Sequence, residues 1–338
     1  MDEIKKVKIV FLADSHLGFD YPVKPRIERR RRGNDFFDNF RKVLDYAVDT
    51  KADLVLHGGD FFFRAKVPQK IVDLSYSILL DFAPNNIPFV VVPGNHERSK
   101  MPVSIFLNHP NLFIFDVPKT FEFNINGARL SISGFPCERK DVKGKFSNLI
   151  KECKPIAESD IKLLLVHQTF EGSKVINYTF KHGKDIIPFQ EVPEFFDAIL
   201  SGHIHRQQVL VKNFTAKRVP VIYPGSIERT SFQERTEDKG FYEIIYTQRP
   251  NKLWKMKELN FIKLPTRPMV DIILDDSVNH ENLEDVIRTE TAKFPEDAIV
   301  RLKVNNENLI PYLTAEFLKQ IFPATMNYEL SGVKYYKK

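Results

Sequence analysis

The chain has 338 residues, is 43% hydrophobic and 28% charged, and carries a formal net charge of +6. That length suits one large domain or two, since single cores seldom grow past about 250–300 residues. No run approaches the roughly 18 apolar residues that span a bilayer, and Cys137 and Cys153 are too few for a disulfide framework or a cysteine zinc site.

A reducing, cytoplasmic setting is therefore expected, with no membrane partner. Short apolar runs alternate with helical patterns through the first two hundred residues. "KIVFLADS" (8–15) is an unbroken apolar run ending in polar residues, as in a strand covered on both faces. Phe36, Phe40, Val43, Leu44 and Ala47 recur at helical spacing behind Asn34 or Asp35, either of which suits a helix cap. "DLVLHGGD" (53–60) reads as a second strand. A second helix follows Pro68, with Ile71, Leu74, Ile78, Leu79 and Phe82 on one face. "PFVVVPGNHE" (88–97) is a third strand.

"TFEFNINGARLSIS" (120–133) sets an Asn126-Gly127 turn between alternating runs, which signals a hairpin. "IKLLLVHQ" (161–168) and "FFDAILSGHIH" (195–205) end apolar strands in histidines. "VPVIYPGS" and "GFYEIIY" keep the pattern strand-rich to about residue 260. Two prolines in "LPTRPM" (264–269) mark a boundary, giving units 1–264 and 265–338. Beyond it, strand 269–274, helix 281–293, strand 298–304, helix 311–321 and strand 324–330 make a small βαβαβ unit. The expected class is α/β with α+β character: two packed β-sheets flanked by helices, plus a small C-terminal α/β domain.

The polar residues fall at the strand ends. Asp14 and His16, Asp60, Asn95 and His96, His167, and His203 with His205 each follow an apolar run. In layered α/β proteins, ligands gather beyond the carboxyl ends of strands. Imidazole, carboxylate and amide oxygen without thiolate suit manganese, iron, zinc or similar divalent ions. Even without His96, seven donors are too many for one ion with an open position, and two ions sharing a carboxylate fit the count. His57 lies within a strand and reads as packed or hydrogen-bonded; His109, His182 and His280 read as loop or surface residues.

The series D-x-H, G-G-D, G-N-H-E, H and G-H-x-H across residues 9–205 resembles the calcineurin-like metallophosphoesterase superfamily. "ADSHLG", "VHQTFEG", "SGHIHRQQ" and "YPGSIERTSF" (223–232) narrow the resemblance to the SbcD-type DNA double-strand-break-repair nucleases. The resemblance implies a four-layer fold with a DNA-binding capping domain. It also implies a pair of ions, usually manganese, with iron, zinc or magnesium as alternatives. Asp14, His16, Asp60 and His205 would hold the first ion and Asp60, Asn95, His167 and His203 the second, with a bridging hydroxide as nucleophile. His96 matches the family's catalytic histidine. The expected function is then DNA end processing by a metal-dependent exonuclease or endonuclease.

Two departures stand out. Many relatives carry histidine in a "GDLFH" pattern where this chain has Phe63 in "GDFFFR", which bears on substrate-end preference; Arg64 beside it is a candidate phosphate contact. The sequence also stops at "VKYYKK", soon after the cap, where longer relatives grip an SbcC-type SMC-like ATPase, so either the sequence is a shortened piece or that attachment is missing or different. Lys24, Arg26, Arg29, Arg30, Arg31 and Arg32 form a basic run suited to the DNA backbone, or to a solvated helix entry. The resemblance implies a homodimer through helices near the start of the catalytic domain, and the helices at 36–48 and 69–82 either supply that surface or simply cover the sheet. The rival readings are a phosphatase or phosphodiesterase of small phosphoesters, and a non-catalytic scaffold on the same fold.

Overall fold

A computed structural model describes residues 5–20, 30–102, 107–249 and 253–332; Lys24, Arg26 and Arg29 lie outside the described residues. Two six-stranded sheets form most of it. The first runs Trp254–Lys263, Gly240–Gln248, Lys6–Leu12, Leu54–His57, Phe89–Val91 and Leu112–Ile114 in spatial order. The second runs Gln208–Asn213, Arg218–Tyr223, Ala198–Ser201, Ile161–Val166, Ala128–Gly134 and Lys119–Ile125. Both are mixed: Lys6–Leu12 pairs parallel with Leu54–His57 and antiparallel with Gly240–Gln248.

The unbroken apolar strands are explained by cover on both faces. Ile9, Phe11, Leu54, Leu56 and Val90 point inward, against Leu130, Ile132, Leu163, Leu165 and Leu200 of the second sheet. Their neighbours Val10, Leu12, Val55, Phe89 and Val91 point outward, under helices Arg32–Asp49 and Gln69–Phe82. On the far side, Leu164, Val166 and Ile199 pack beneath helix Val142–Glu152 through Phe146 and Ile150. The result is four layers: helices, sheet, sheet, helix.

The hairpin forms at Asn126 (φ 50°) and Gly127 (φ 83°), both left-handed as a tight two-residue turn requires. The helix cap differs from expectation. The helix starts at Arg32, Arg31 takes the cap position without a side-chain cap bond, and Asp35 is buried in the first turn. Its carboxylate accepts instead from Arg30 (2.7 Å) and Arg267 (3.0 Å), cations outside the helix that outcompete a local backbone N–H.

Residues 269–331 build three parallel strands, Met269–Leu274, Ile299–Val304 and Asn327–Ser331, with a core of their own around Ile272, Leu283, Val300, Leu302 and Leu318. The helix expected at 281–293 is shorter, Leu283–Thr291. The one expected at 311–321 splits into a 3-10 turn, Glu307–Tyr312, and a helix, Ala315–Ile321. Pro311 sits in the turn, and Thr314 restarts the chain as an N-cap by accepting from Phe317 N–H at 3.2 Å. Among the described residues, no helix is long and apolar enough to cross a membrane.

Candidate metal centre

The carboxyl ends of five strands open onto one edge of the two sheets. Lys6–Leu12 leads to Asp14 and His16, Leu54–His57 to Asp60, and Phe89–Val91 to Asn95 and His96. From the second sheet, Ile161–Val166 leads to His167, and Ala198–Ser201 to His203 and His205. Backbone bonds lace these ends together. Asp14 N–H donates to Gly59 O at 2.9 Å, His16 N–H to Asp60 O at 3.0 Å, and His203 N–H to the Asp14 carboxylate at 3.1 Å.

That lacing bends the chain into costly shapes. Asp14 (φ 51°), His16 (φ 44°), Asp60 (φ 51°) and His203 (φ 84°) all lie in the left-handed region. Side-chain-bearing residues enter it sparingly, at about 1–3 kcal/mol each, and do so most at functional sites. Glycine clears the space around them. A Cβ on Gly202 would stand 2.2 Å from the carbonyl oxygen of Gly58, where only hydrogen fits.

Among the described residues, donor atoms fall into three overlapping groups: Asp14, His16 and His205; His16, Asp60 and His96; and Asp60, His167 and His203. Asn95 joins the third through Oδ1, 2.9 Å from His167 Nε2 and 2.8 Å from His203 Nδ1. Asp60 is common to two groups, and its Oδ1 is 3.3 Å from His167 Nε2. The tautomers follow from acceptor-only partners. His167 Nδ1 donates to Gly58 O at 2.7 Å, and His205 Nδ1 donates to Glu234 Oε1 at 3.1 Å, so each neutral ring turns an Nε2 lone pair into the centre. There His205 Nε2 meets His16 Nε2 at 2.9 Å, and the buried Nδ1 of His16 has no hydrogen-bond partner.

Such a crowd of lone pairs needs positive charge among it. Burial lifts the Asp14 carboxyl to about 6, although His167 and His205 pull the other way. Burial would also lift Asp60, but His167, His16 and His96 outweigh it and hold Asp60 well below the usual carboxylate range. His203 is pushed down to about 3 by burial and then by His167, and His16 goes the same way through burial and His205. Burial disfavours the charged His167 ring, yet Asp60 more than reverses this and raises it to about 9. Neutral imidazoles with ionised carboxylate are the forms that bind metal. The donor set fits a pair of divalent ions.

His96 stands at the rim, a third exposed, with Nε2 3.7 Å from Asp60 Oδ2. Its Nδ1 donates to the carbonyl of Phe63, so in the neutral ring Nε2, on the side of Asp60, keeps its lone pair. The Phe63 ring lies 5.8 Å from both His16 and His96. Arg64 lies over the Phe63 ring at 5.6 Å. Arg32 lies over Phe19 at 4.9 Å and donates to Arg229 O at 2.6 Å, while Arg30 bonds Asp35. His57 is a core residue: Gly59 N–H donates to its Nδ1 at 3.1 Å, so Nε2 carries hydrogen and donates to Ser15 Oγ at 2.7 Å.

Three functional contributors escape the sequence reading. Glu97, last of the GNHE stretch, accepts from Phe62 N–H (2.5 Å) and Gly94 N–H (2.8 Å), pinning two ligand loops together. Burial, with Asp60 nearby, lifts its carboxyl to about 8. Glu234 and Lys239 lie behind His205, and nothing in their local sequence marks them.

Residues 7–207 match the model of the calcineurin-like phosphoesterase family. The chain is similar to the DNA double-strand break repair protein Mre11 of Methanocaldococcus jannaschii, at 26% identity over 279 residues, 79% of this chain and 69% of that protein. It is similar to the Archaeoglobus fulgidus protein of that name at 24% over 324 residues, 90% and 69% of the two chains. The Saccharolobus solfataricus protein is 23% identical over 316 residues, 92% and 75%. The matched stretch covers more than half the sequence and holds every donor that the two sheets bring together, and the chain belongs to the calcineurin-like phosphoesterase family.

Proposed function

We propose that this phosphoester hydrolase is a two-metal DNA nuclease that processes ends in double-strand-break repair. The observation that carries the reading is the convergence of Asp14, His16, Asp60, Asn95, His167, His203 and His205, with His96 alongside. Two archaeal relatives named for double-strand break repair, similar over most of the chain, support DNA as the substrate.

Asp14, His16, Asp60 and His205 would hold one ion and Asp60, Asn95, His167 and His203 the other, manganese being the usual pair. When bound, the ions supply Lewis acidity to the phosphoryl oxygens and acidify a water. The protein's own groups do the rest. Glu234 and the Gly58 carbonyl hold two imidazoles in the ligating tautomer. His96, steered by the Phe63 carbonyl, holds Nε2 at the rim beside Asp60; when the ring is doubly protonated, its Nε2 proton can go to the departing sugar oxygen. Phe63 and Arg64 form the wall beside it, and Arg64 can meet a phosphate there. Residues 1–264 act as the nuclease unit and 265–338 as a DNA-binding cap. Arg31, and Lys24, Arg26 and Arg29 outside the described residues, serve the DNA backbone. Arg30 and Arg32 also make the internal bonds given above. A second copy of the chain, an SbcC-type ATPase and a cytoplasmic setting belong to the same proposal.

The test is digestion of end-labelled single- and double-stranded DNA with and without Mn2+, using His205→Ala as control and p-nitrophenyl phosphate as rival substrate. The expected result is Mn2+-dependent DNA cleavage that His205→Ala abolishes. Hydrolysis of p-nitrophenyl phosphate with intact DNA would overturn the assignment in favour of a small-substrate enzyme.

A further inference from the structure

His205 is gripped from behind. Its Nδ1 donates to Glu234 Oε1, and that carboxylate is itself held from several sides. Thr230 Oγ1 donates to Oε1 at 2.5 Å, Lys239 Nζ lies 2.6 Å from Oε2, and Ser226 Oγ is 3.4 Å from Oε2. Lys239 is 1% exposed. A buried ammonium is costly unless paired and hydrogen-bonded. Its other bonds run to Glu237 Oε2 (3.2 Å) and to the backbone carbonyl of His205 (2.9 Å). One ammonium therefore ties His205 twice: at its main chain directly, and at its ring through Glu234.

The turn that carries Glu234 has a second attachment. Glu234 ends the short 3-10 segment Phe232–Glu234. Phe232, two residues earlier, clusters with Met269 and Ile299 of the C-terminal sheet, and the Arg301 guanidinium sits 4.3 Å above its ring. On the other side of Glu234, Arg235 Nε is 4.0 Å from Asp271. Upstream, Arg229 donates to Arg267 O at 3.1 Å and to Glu237 O at 3.0 Å. Residues flanking Glu234 on both sides thus touch the C-terminal unit, while Glu234 itself touches a ligand of the centre.

We infer that Glu234 is a positioning residue for His205, and that the C-terminal unit sets where Glu234 stands through Phe232. This rests on the proposed reading that His205 holds the first ion. A carboxylate behind a ligating histidine fixes its ring and raises its basicity, and removing one typically costs about 10–100-fold in metal affinity. A segment that merely sealed the seam between the two units would change stability and leave the two ion affinities alike.

The experiment is a Mn2+ titration of the full chain by calorimetry, with thermal melts in chelator to confirm folding. Wild type is expected to show two sites, one of which His205→Ala removes. Glu234→Ala should weaken that same site by about 10–100-fold, with the other held within about twofold, and Glu234→Gln, which keeps the shape, should fall between. Phe232→Ala, which contacts neither ion, should weaken the same site by roughly 3- to 10-fold. If Glu234→Ala does not fold, Glu234→Gln decides. Affinities unchanged in the folded Glu234 variants would overturn the positioning role. A Phe232→Ala chain that melts earlier yet binds both ions as wild type does would overturn the coupling. A wild-type chain that takes up no Mn2+, or a His205→Ala chain that keeps both sites, would overturn the metallonuclease reading and this inference with it.

Discussion

At Gly94 the difference between a working centre and a broken one is a methyl group. A Cβ there would lie 2.1 Å from Asp60 Oδ1 and 2.3 Å from its backbone nitrogen, so either the carboxylate or the loop must move. Gly94→Ala is expected to lose bound metal, seen by elemental analysis, and to lower unfolding stability by about 1–3 kcal/mol. His96 makes the opposite case. It lies outside the seven proposed ligands, so His96→Ala should keep its metal content and lose about 10²–10⁴-fold in turnover. Metal analysis beside DNA cleavage rates separates the two outcomes, and unchanged turnover would refute proton donation by Nε2. Neither effect is visible in a string of letters. "PGNHE" shows a turn and a histidine, but the nearness of Gly94 to Asp60 and the bond from His96 to a carbonyl belong to the fold.

Helix Arg32–Asp49 shows what a single element conceals. Its apolar stripe was plain, since Phe36, Phe40, Val43, Leu44 and Ala47 repeat at helical spacing and all are buried. The strands were equally plain, because cover on both faces demands unbroken apolar runs. Asp35 was not. It looks like a cap, yet its partner Arg267 stands 232 residues further along, and both are 6% exposed. Local chemistry points to an N-cap and a distant guanidinium wins. Removing one member of a buried pair strands the other, so Asp35→Ala is expected to cost about 3–5 kcal/mol in urea unfolding. Asp35→Ala with Arg267→Met should recover a large part of it. The same limit governed the centre: donor types at strand ends were legible, whereas the left-handed backbone at Asp14, His16, Asp60 and His203, and the bond behind His205, arise from contacts far apart in sequence.

Across the whole molecule, the donors are divided between the sheets. The first contributes Asp14, His16, Asp60 and Asn95, the second His167, His203 and His205. Metal removal should therefore loosen the assembly as well as silence it. Free Mn2+ at about a hundred times its dissociation constant is expected to add ~2.7 kcal/mol per site, read as a rise in melting temperature over the chelated protein. An unchanged melting point would argue against ions spanning the two layers. The shared centre also disciplines the sandwich itself. Leucines and isoleucines facing one another across an interior tolerate a small slip, whereas one residue of travel along a strand, about 3.3 Å, would carry the second layer's imidazoles out of reach of the first layer's carboxylates. Oily contact presses the halves together, and coordination of the proposed ions would act as the vernier that reads whether they are aligned.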